Sequence, residues 1–449
     1  MKLIRGVSGV RGIVGKTLTK EVVAEYANGF SKIQPDKFPM LIARDSRTHG
    51  KSLAKNIVEI LISSGRDVMD YGIIPTPTAQ FLIQNEGFCG GIVITASHNP
   101  SNWNGLKFID QDGCFLDNKK NQSLFNLVDN PSKIVHLNLG KYKSFINGFD
   151  KHIKHTLTLS CIDTKRIKNN KYKVVVDAVN GAASIALPKM LKNLGCEVIC
   201  IHCKQDGLFP RGAEPLAKNL KDLSGAVKNN KADIGFATDP DGDRLAIIDE
   251  NGIPIGEEYT LPMCADSFLN TKNNGIKNIV TNLSTTLALD RVADQYGVKV
   301  LRTAVGEINV VNKMKEVGSV FGGEGNGGVI VSESHYGRDA IVAASLFLNG
   351  MANSNMKVSE MFKSMPLYYM KKEKLDLHDI DSGLALKNIK KVVKAESNEL
   401  DGLKLIWEDS WVHVRKSNTE PILRIYAEAP TEKEVDRLIF MIKSIALKA

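Results

Sequence analysis

The chain has 449 residues, of which 43% are hydrophobic, and its formal net charge at pH 7 is +9. This length predicts several domains rather than one core. The charge-free stretch 87–106 is rich in Ser, Asn, Pro and His, so it does not read as a membrane span. The chain opens without the apolar segment of a secretory signal and has an odd count of seven cysteines, which favours a reducing, cytoplasmic location.

Strand and helix candidates alternate in the first part of the chain: strand 40–43, helix 50–64, strand 68–71, helix 78–85 and a buried strand at 92–94. The sequence TASHNP follows at 95–100. Its Asn-Pro turn, and an Asn-Gly turn at 104–105, predict that Ser97 lies exposed at a strand end. A serine is a weak nucleophile unless it is activated, and His98 and Lys107 are candidate proton-handling neighbours. The alternative for this stretch is an ordinary polar turn.

The alternation restarts with strand 173–177 and helix 181–194, and then reaches DPDGDR at 239–244 between strand candidates 234–237 and 245–248. Three carboxylates this close, Asp239, Asp241 and Asp243, repel one another and favour a hard divalent cation. A solvated acidic turn is the alternative. A calcium EF-hand is rejected because Arg244 occupies the sixth position, where the turn requires glycine. We therefore predict a Mg²⁺ site.

A third restart gives strand 278–281 and helix 286–296, followed by FGGEGNGG at 321–328. Five glycines allow the backbone to approach a ligand closely. Glu324 and Asn326 are the polar side chains of this stretch, and both suit hydroxyl groups. A flexible hairpin loop is the alternative. The order of the glycines does not match a dinucleotide-binding fingerprint.

The last part differs, with strands at 403–407, 411–414 and 422–427 and a helix at 431–447. Short connections predict an antiparallel sheet covered by a helix. The sequence RKSNTEP at 415–421 offers a guanidinium, hydroxyl groups and an amide, which suit a phosphate dianion, although a polar hairpin is the alternative. The anion-binding candidates are Arg415, Ser417, Asn418 and Thr419.

We therefore predict an α/β protein with three similar α/β domains containing mixed sheets, and a C-terminal α+β domain with an antiparallel sheet. The predicted domains are residues 1–152, 153–252, 253–365 and 366–449. The net positive charge would attract sugar phosphates to a basic site. The densest basic run, 165–173, reads as a surface loop, so no nucleic-acid partner and no membrane partner are expected.

Together, the four stretches resemble the α-D-phosphohexomutase family in motif and in order: a TASHNP serine loop with a downstream NG-x-K, a DPDGDR metal loop, a sugar loop that starts GE, and an R-x-S-x-T-E-P phosphate loop. The opening GVSGVRG, residues 6–12, is similar to the family's start, where an arginine, here Arg11, faces the active site. The resemblance covers essentially the whole chain. It implies four domains around a central cleft, with one motif from each.

The resemblance implies phosphoryl transfer between the 1- and 6-positions of a hexose phosphate through a phosphoserine at Ser97, with a hexose 1,6-bisphosphate as intermediate and activator. Mg²⁺ would be held by Ser97 and the three aspartates. Lys107 is expected to act as general acid/base with a depressed pKa, and His98 to support the loop. The remaining implied roles concern phosphoryl and substrate binding, by Arg11, Arg244, Glu324, Asn326, Arg415, Ser417, Asn418 and Thr419.

Two positions depart from the family pattern: Gly328 and Glu307 stand where many or some relatives carry histidine. His335 is close in sequence but has no predicted place in the site. GEGNGG with a downstream GRDA resembles a branch of the family assigned to phosphoglucosamine mutases, which implies glucosamine 6-phosphate as the substrate; the alternative is a phosphoglucomutase or phosphomannomutase. A Mg²⁺-dependent sugar phosphatase and a non-catalytic sugar-phosphate sensor remain open from other classes. The expected assembly is a monomer or a homodimer.

Overall fold

The structure, a computed structural model, describes residues 3–36, 38–131, 139–272, 275–377, 381–416 and 422–448. It contains four sheets, each formed by a continuous part of the chain. The first three are mixed and the last is antiparallel, so the predicted fold class is confirmed. The predicted strands and helices are present, with ends shifted by at most two residues. Within the described ranges, no helix is long and apolar enough to cross a membrane.

The first unit has seven strands and five helices. They are β1 Ile4–Gly6, β2 Gly9–Ile13, α1 Lys20–Ile33, β3 Met40–Arg44, α2 Gly50–Ser63, β4 Val68–Ile73, α3 Thr76–Asn85, β5 Gly90–Ile94, β6 Trp103–Asp110, α4 Asn118–Asp129, β7 Tyr142–Ser144 and α5 Phe149–Thr156. The strand order is β1-β2-β6-β5-β3-β4-β7. β5 runs parallel to β3 and antiparallel to β6, so the chain reverses between β5 and β6. The serine loop lies in this reversal.

The second unit has four strands in the order β11-β10-β8-β9. Its elements are α6 Thr164–Asn170, β8 Lys173–Asp177, α7 Ala183–Asn193, β9 Glu197–Ile201, a short 3₁₀ helix Ala217–Asn219, α8 Lys221–Asn230, β10 Ile234–Thr238 and β11 Leu245–Ile248. β10 is parallel to β8 and antiparallel to β11. The connection between β10 and β11 is therefore a tight turn, and it carries the three aspartates.

The third unit repeats this plan with the order β13-β12-β14-β15. Its elements are α9 Glu257–Lys272, β12 Asn278–Asn282, α10 Ala288–Gln295, β13 Lys299–Thr303, α11 Glu307–Val317, β14 Phe321–Glu324, β15 Gly328–Val331, α12 Ala340–Ser354 and α13 Val358–Ser364. β14 and β15 form an antiparallel hairpin with Glu324 opposite Gly328. The sugar-loop motif is this hairpin.

The fourth unit has five antiparallel strands in the order β16-β20-β19-β18-β17. Its elements are β16 Tyr369–Asp376, α14 Ser382–Val392, β17 Glu396–Asn398, β18 Leu403–Ile406, β19 Trp411–Lys416, β20 Ile422–Ala429 and α15 Glu432–Ala446. An apolar side of α15, including Leu438 and Ile442, packs on the sheet. This is the predicted α+β arrangement.

The cores divide the molecule unevenly. One large apolar cluster runs through the first three units and includes Leu41, Val176 and Phe321. The fourth unit has its own cluster, which includes Leu405 and Ile425. The first three units thus share a continuous hydrophobic core, whereas the fourth is held to them by other contacts.

Candidate active site

Ser97 follows β5 in a tight loop and adopts a left-handed backbone conformation, with φ of 47°. Its side chain is buried, with a residue exposure of 4%. The prediction of an exposed serine is therefore wrong. The cause is the metal loop of the second unit, which packs against it: Ser97 Oγ donates a hydrogen bond to Asp239 Oδ2 at 3.1 Å. The turn signals in the sequence predicted this loop, but they did not predict that the metal loop packs over it.

The three aspartates lie in the turn between β10 and β11, as predicted, and all are buried. Asp239 Oδ1 accepts hydrogen bonds from the backbone N–H groups of Asp243 (3.1 Å) and Arg244 (3.2 Å). Gly242 has φ of 72°, a left-handed conformation that favours glycine. The backbone of the turn therefore donates hydrogen bonds to the carboxylate of its first aspartate, Asp239, and the three carboxylate groups lie close together.

This carboxylate cluster meets the requirements of a divalent-cation site. One carboxylate oxygen from each of the three aspartates lies within 4.8 Å of the others. Asp241 Oδ1 and Asp243 Oδ1 are buried and accept no hydrogen bond from the described part of the chain. Burial and the neighbouring carboxylates of Asp243 and Asp241 raise the pKa of Asp239 well above its usual range. Crowded, buried carboxylate oxygens with free acceptor capacity suit a hard cation such as Mg²⁺.

Lys107 reaches the same cluster from β6. Its Nζ donates to Asp241 Oδ2 at 2.6 Å and to Asp243 Oδ2 at 3.2 Å, and its side chain is buried. Burial lowers the pKa of Lys107, but the two carboxylates raise it more, so the net pKa lies above the usual lysine value. The predicted depressed pKa is therefore wrong among these side chains, and the Lys107 ammonium group is charged at pH 7.

His98 is part of the serine loop, and Arg11 and Arg244 lie against that loop. Arg244 Nη2 donates to His98 Nδ1 at 3.1 Å, and Arg11 Nη1 donates to Asn99 Oδ1 at 2.9 Å. The Arg244 charge, burial and the Arg11 charge lower the pKa of His98 well below its usual value, so this histidine is neutral at pH 7. A neutral His98 that accepts a hydrogen bond from Arg244 matches the predicted supporting role better than that of a proton carrier.

The sugar-loop hairpin places Glu324 and Asn326 at the same cavity as Ser97 and Lys107. Glu324 is held firmly, because its Oε1 accepts hydrogen bonds from Asn282 Nδ2 at 2.7 Å and from Gly306 N at 3.0 Å. Asn326 Oδ1 is buried and finds no donor among the described residues. An acceptor oxygen of this kind at a cavity suits a ligand hydroxyl group.

Arg338, which sequence reasoning did not assign, connects three acidic groups of the site. Its guanidinium donates to Asp243 Oδ2 at 2.7 Å, to Glu324 Oε2 at 2.7 Å and to Glu307 Oε2 at 2.9 Å. The side chain is buried and lines the cavity. Its signal in the sequence was the GRDA motif, which was used only to compare relatives.

The two departures from the family pattern both lie against Arg338. Glu307 is one of its carboxylate partners. At Gly328, an added Cβ atom would lie 2.2 Å from Arg338 Cδ, so glycine leaves the space that the arginine fills. His335 does not reach this site: its Nε2 lies 3.1 Å from Asp339 Oδ2, in a buried cluster with His152.

Arg415, on β19, lies at a second and larger cavity of about 660 Å³, which adjoins the first through His98, Arg244 and Asn326. Ser417, Asn418 and Thr419 lie outside the described residues. The fourth unit also brings further basic side chains to this cavity, which form no motif in the sequence because they come from two different strands. They are Lys372 and Lys374 on β16 and Arg424 on β20.

The two cavities form one cleft lined by all four units: the serine loop, Arg244, the sugar loop and Arg415. The smaller cavity, of about 220 Å³, holds Ser97, Lys107 and Arg338. The larger one carries lysines and arginines. Such an arrangement places a serine beside an acidic cluster at one end, and several basic side chains together with Glu214 and Glu257 at the other.

Comparison with known proteins agrees with this architecture. Models of the phosphoglucomutase/phosphomannomutase family match as alpha/beta/alpha domain I over residues 2–134, domain II over 150–252, domain III over 257–368 and the C-terminal domain over 374–444. These matches cover most of the chain.

Similar proteins match along nearly their whole length. A phosphoglucomutase/phosphomannomutase of Thermococcus kodakarensis is 36% identical over 96% of this chain and 95% of its own. A phosphoglucosamine/phosphogalactosamine mutase of Sulfurisphaera tokodaii is 34% identical over 98% of both. The crystal structure of a Burkholderia thailandensis family protein has a TM-score of 0.84 at 26% identity, covering 97% of this chain and 94% of that one. The chain therefore belongs to the phosphoglucomutase/phosphomannomutase family, whose members are phosphohexomutase enzymes.

Proposed function

We propose that this protein moves a phosphoryl group between the 1- and 6-positions of a hexose phosphate through a phosphoserine at Ser97, and that glucosamine 6-phosphate is its preferred substrate. The observation that carries this proposal is the contact between Ser97 Oγ and Asp239 Oδ2 at 3.1 Å, inside a buried three-aspartate cluster. A serine beside a cation site and a sugar-facing cavity suits reversible phosphorylation better than it suits a structural turn.

The metal in this proposal is Mg²⁺, held by Asp239, Asp241 and Asp243 together with Ser97. When bound, it would polarise phosphoryl oxygens and offset the negative charge of the transfer. The buried oxygens Asp241 Oδ1 and Asp243 Oδ1, which accept no hydrogen bond from the described residues, support this assignment. Arg244 and Arg11, both at the serine loop, would steady the phosphoryl oxygens through charge-assisted hydrogen bonds.

In the first half-reaction, a sugar hydroxyl attacks the phosphorus of phosphorylated Ser97. The new O–P bond forms, the P–Oγ bond breaks, and the serine oxygen takes a proton, while the proton that leaves the sugar hydroxyl replaces the one given up by the donor. Lys107 is the proposed proton donor to the serine oxygen, and its raised pKa, due to Asp241 and Asp243, supports a donor that is charged at neutral pH. The sugar becomes a 1,6-bisphosphate. The second half-reaction reverses these bonds at the other phosphate.

The bisphosphate must turn round between the two half-reactions, so each end must be held in turn at the same place. The larger cavity supports this, because Arg415 and other basic groups can hold a phosphate away from Ser97. We include Ser417, Asn418 and Thr419 in this phosphate-binding set on sequence grounds. Glu324 and Asn326 are proposed to contact sugar hydroxyls in either orientation.

The preference for an amino sugar has support from relatives whose names refer to phosphoglucosamine mutase, in Sulfurisphaera tokodaii and Methanococcus aeolicus. The Thermococcus kodakarensis relative named for glucose and mannose supports the alternative sugars. A cytoplasmic location, a monomeric or homodimeric state and domain ends near residues 152, 252 and 365 remain predictions.

One assay panel tests the proposal. The purified protein is incubated with Mg²⁺, a hexose 1,6-bisphosphate and, in turn, the 6-phosphates of glucosamine, N-acetylglucosamine, glucose and mannose, while both the 1-phosphate product and free phosphate are measured. We expect 1-phosphate formation without free phosphate, fastest for glucosamine. Stoichiometric phosphate release would instead identify a phosphatase, and no conversion of any sugar would favour a non-catalytic sensor.

A further inference from the structure

We infer that Arg47, with its partner Asp45, is a positioning residue that holds the serine loop in the shape needed for transfer. The inference deepens the proposed function and rests on it, since it concerns the geometry of Ser97. Neither residue lines the cleft cavities. Both are buried, with exposures of 1% and 0%, in the loop that follows β3.

The N–H groups of the Arg47 guanidinium all donate hydrogen bonds, most of them to the serine loop. Its Nη groups donate to four backbone carbonyl oxygens, those of Ser97 (2.7 Å), Asn99 (2.7 Å), Pro100 (2.6 Å) and Trp103 (3.0 Å). Its Nε donates to Asp45 Oδ2 at 3.0 Å. One side chain thus binds both ends of the turn that carries the serine. The planar guanidinium with five donors is the only side chain that can satisfy this set at once.

Asp45 holds the other side of the same residue. Asp45 Oδ2 accepts a hydrogen bond from Thr95 Oγ1 at 2.6 Å, and Thr95 Oγ1 accepts one from Ser97 N at 2.9 Å. Asp45 Oδ1 accepts from Arg47 N at 2.9 Å, which fixes the pair internally. The N–H and the C=O of Ser97 are therefore both tied, directly or through Thr95, to the Asp45–Arg47 pair.

The backbone of Ser97 needs this support. Its φ of 47° lies in the left-handed region, which a residue with a Cβ atom adopts only when its surroundings impose it. Four carbonyl groups pointing at one guanidinium impose such a conformation. Without the guanidinium, these carbonyl groups would have to turn towards other donors, and Ser97 Oγ would move relative to Asp239.

The second unit covers this pair. The centroid of the Phe209 ring lies 4.8 Å from the Arg47 guanidinium carbon. At Gly207, with φ of 70°, an added Cβ atom would lie 2.4 Å from Ser46 O and 2.9 Å from the Arg47 Cα. This segment therefore packs closely on Arg47 and keeps its bond to Ser97 O buried, whereas its bonds to the oxygens of Asn99, Pro100 and Trp103 are partly buried. The Ser97 carbonyl is thus the one that depends most on the arginine.

The test compares Arg47→Lys with a matched control, Arg66→Lys. Arg66 is also buried in the first unit and also donates to backbone carbonyls, those of Ser31 (2.6 Å), Gln34 (2.8 Å) and Pro35, but away from the cleft. Both substitutions keep the positive charge but remove the guanidinium group with its several N–H donors, so both are expected to lower the free energy of unfolding. Only Arg47→Lys changes the serine loop. Activity is measured at a temperature where circular dichroism shows both variants folded.

We expect Arg47→Lys to lower kcat about 10²-fold, the effect of displacing a reacting group by about 1 Å, with KM for the sugar phosphate nearly unchanged because Arg47 does not line the cleft. Arg66→Lys should keep kcat within about threefold of wild type. Equal kcat values in the two folded variants would overturn the inference.

Amide hydrogen exchange separates this inference from the proposed function, because it needs no turnover. In Arg47→Lys, peptides covering residues 95–104 should exchange faster than in wild type, while in Arg66→Lys they should not. If wild type showed no mutase activity but the exchange difference held, the proposed reaction would fail and the positioning role would stand. Unchanged exchange in the 95–104 peptides would overturn the positioning role itself.

Discussion

The serine and metal loops are held differently from the phosphate-binding unit. Ser97 and the three aspartates have exposures of 4% or less and lie on units that share one hydrophobic core. The Arg415 side chain is 20% exposed and belongs to a unit with a separate core. The groups proposed to make and break bonds thus lie on units that share one hydrophobic core. The group proposed to bind the second phosphate lies on the fourth unit, which has a separate core.

Several hydrogen bonds join the third and fourth units. Lys404 Nζ donates to Leu283 O at 2.6 Å, Ser284 Oγ lies 2.8 Å from His413 Nδ1, and Leu287 N donates to Glu428 Oε1 at 2.7 Å. Because the fourth unit has its own hydrophobic cluster and does not share the large one, motion of this unit relative to the others is expected. The proposed function therefore assigns the chemistry to the units with a continuous core and the binding of the second phosphate to the fourth unit. We expect substitutions in the two regions to affect kcat and KM differently.

The largest effect should come from the serine. Ser97→Ala removes the proposed phosphoryl carrier, so mutase turnover should fall by at least about 10⁴-fold, the scale seen when an essential nucleophile is lost. The fold should survive, because one hydroxyl and one hydrogen bond are removed. Intact mass should show an added phosphate of about 80 Da on wild type and none on the variant. Ser101→Ala, exposed in the same loop, is the control; near-normal turnover of Ser97→Ala would refute the phosphoenzyme scheme.

The metal cluster should come second. Asp241→Asn or Asp243→Asn removes a buried negative charge from the cation site, and activity should fall about 10³-fold, equivalent to about 4 kcal/mol of barrier. Chelation of wild type should silence it and added Mg²⁺ should restore it. Asp249→Asn is the matched control: it is buried after β11, and its carboxylate accepts backbone N–H groups outside the cluster. Full activity in excess chelator, with metal content verified as nil, would contradict the assignment.

The sequence predicted the elements and motifs well because local signals determine them. The aspartate spacing with its Pro and Gly, and the apolar runs on either side, placed the metal turn between β10 and β11. The burial of Ser97 could not be predicted, because Asp239, which covers it, is 142 residues away in the chain. The pKa of Lys107 was misjudged for the same reason, since its partners Asp241 and Asp243 belong to another unit.

Arg338 and Arg47 show a second limit of sequence reasoning. A lone arginine carries no periodic or spacing signal, and its importance arises from what the fold gathers around it. Arg338 contacts three carboxylates from separate segments, and Arg47 contacts four carbonyl groups of one segment, 97–103, that is distant from it in the chain. The departures from the family pattern at Gly328 and Glu307 are visible in the sequence. Only the structure shows that both positions contact Arg338.

A kinetic contrast tests the division of labour directly. Arg415→Ala removes a charged phosphate contact, worth about 1.5–3 kcal/mol, so KM should rise roughly 10- to 100-fold with a smaller loss of kcat. Lys107→Ala should mainly lower kcat, because Lys107 contacts the metal carboxylates rather than the basic cavity. Steady-state kinetics with saturating bisphosphate measure both. An unchanged KM of Arg415→Ala for every sugar phosphate would remove the binding role of the fourth unit.

The smallest effect concerns the space that glycine leaves for Arg338. In Gly328→Ala the new Cβ would lie 2.2 Å from Arg338 Cδ, and the arginine cannot withdraw without leaving the carboxylates of Asp243, Glu324 and Glu307. We expect a stability loss of about 1–3 kcal/mol, typical of overpacking, and roughly tenfold lower activity. Urea unfolding and kcat measure the two. Gly225→Ala on α8, with no neighbouring atom within 4 Å of the new Cβ, should be neutral or slightly stabilising.

A double variant identifies the cause. If Gly328 matters only because it makes room for Arg338, then Gly328→Ala should add little to the loss already caused by Arg338→Ala, and the two effects should be strongly non-additive. Independent, additive losses would mean that the added methyl group disturbs the β14–β15 hairpin itself, where Gly328 is paired with Glu324. In that case the hairpin backbone would determine the shape of the sugar loop. Arg338 would then only link the metal and sugar loops through its hydrogen bonds, and the packing of the two loops would not depend on it.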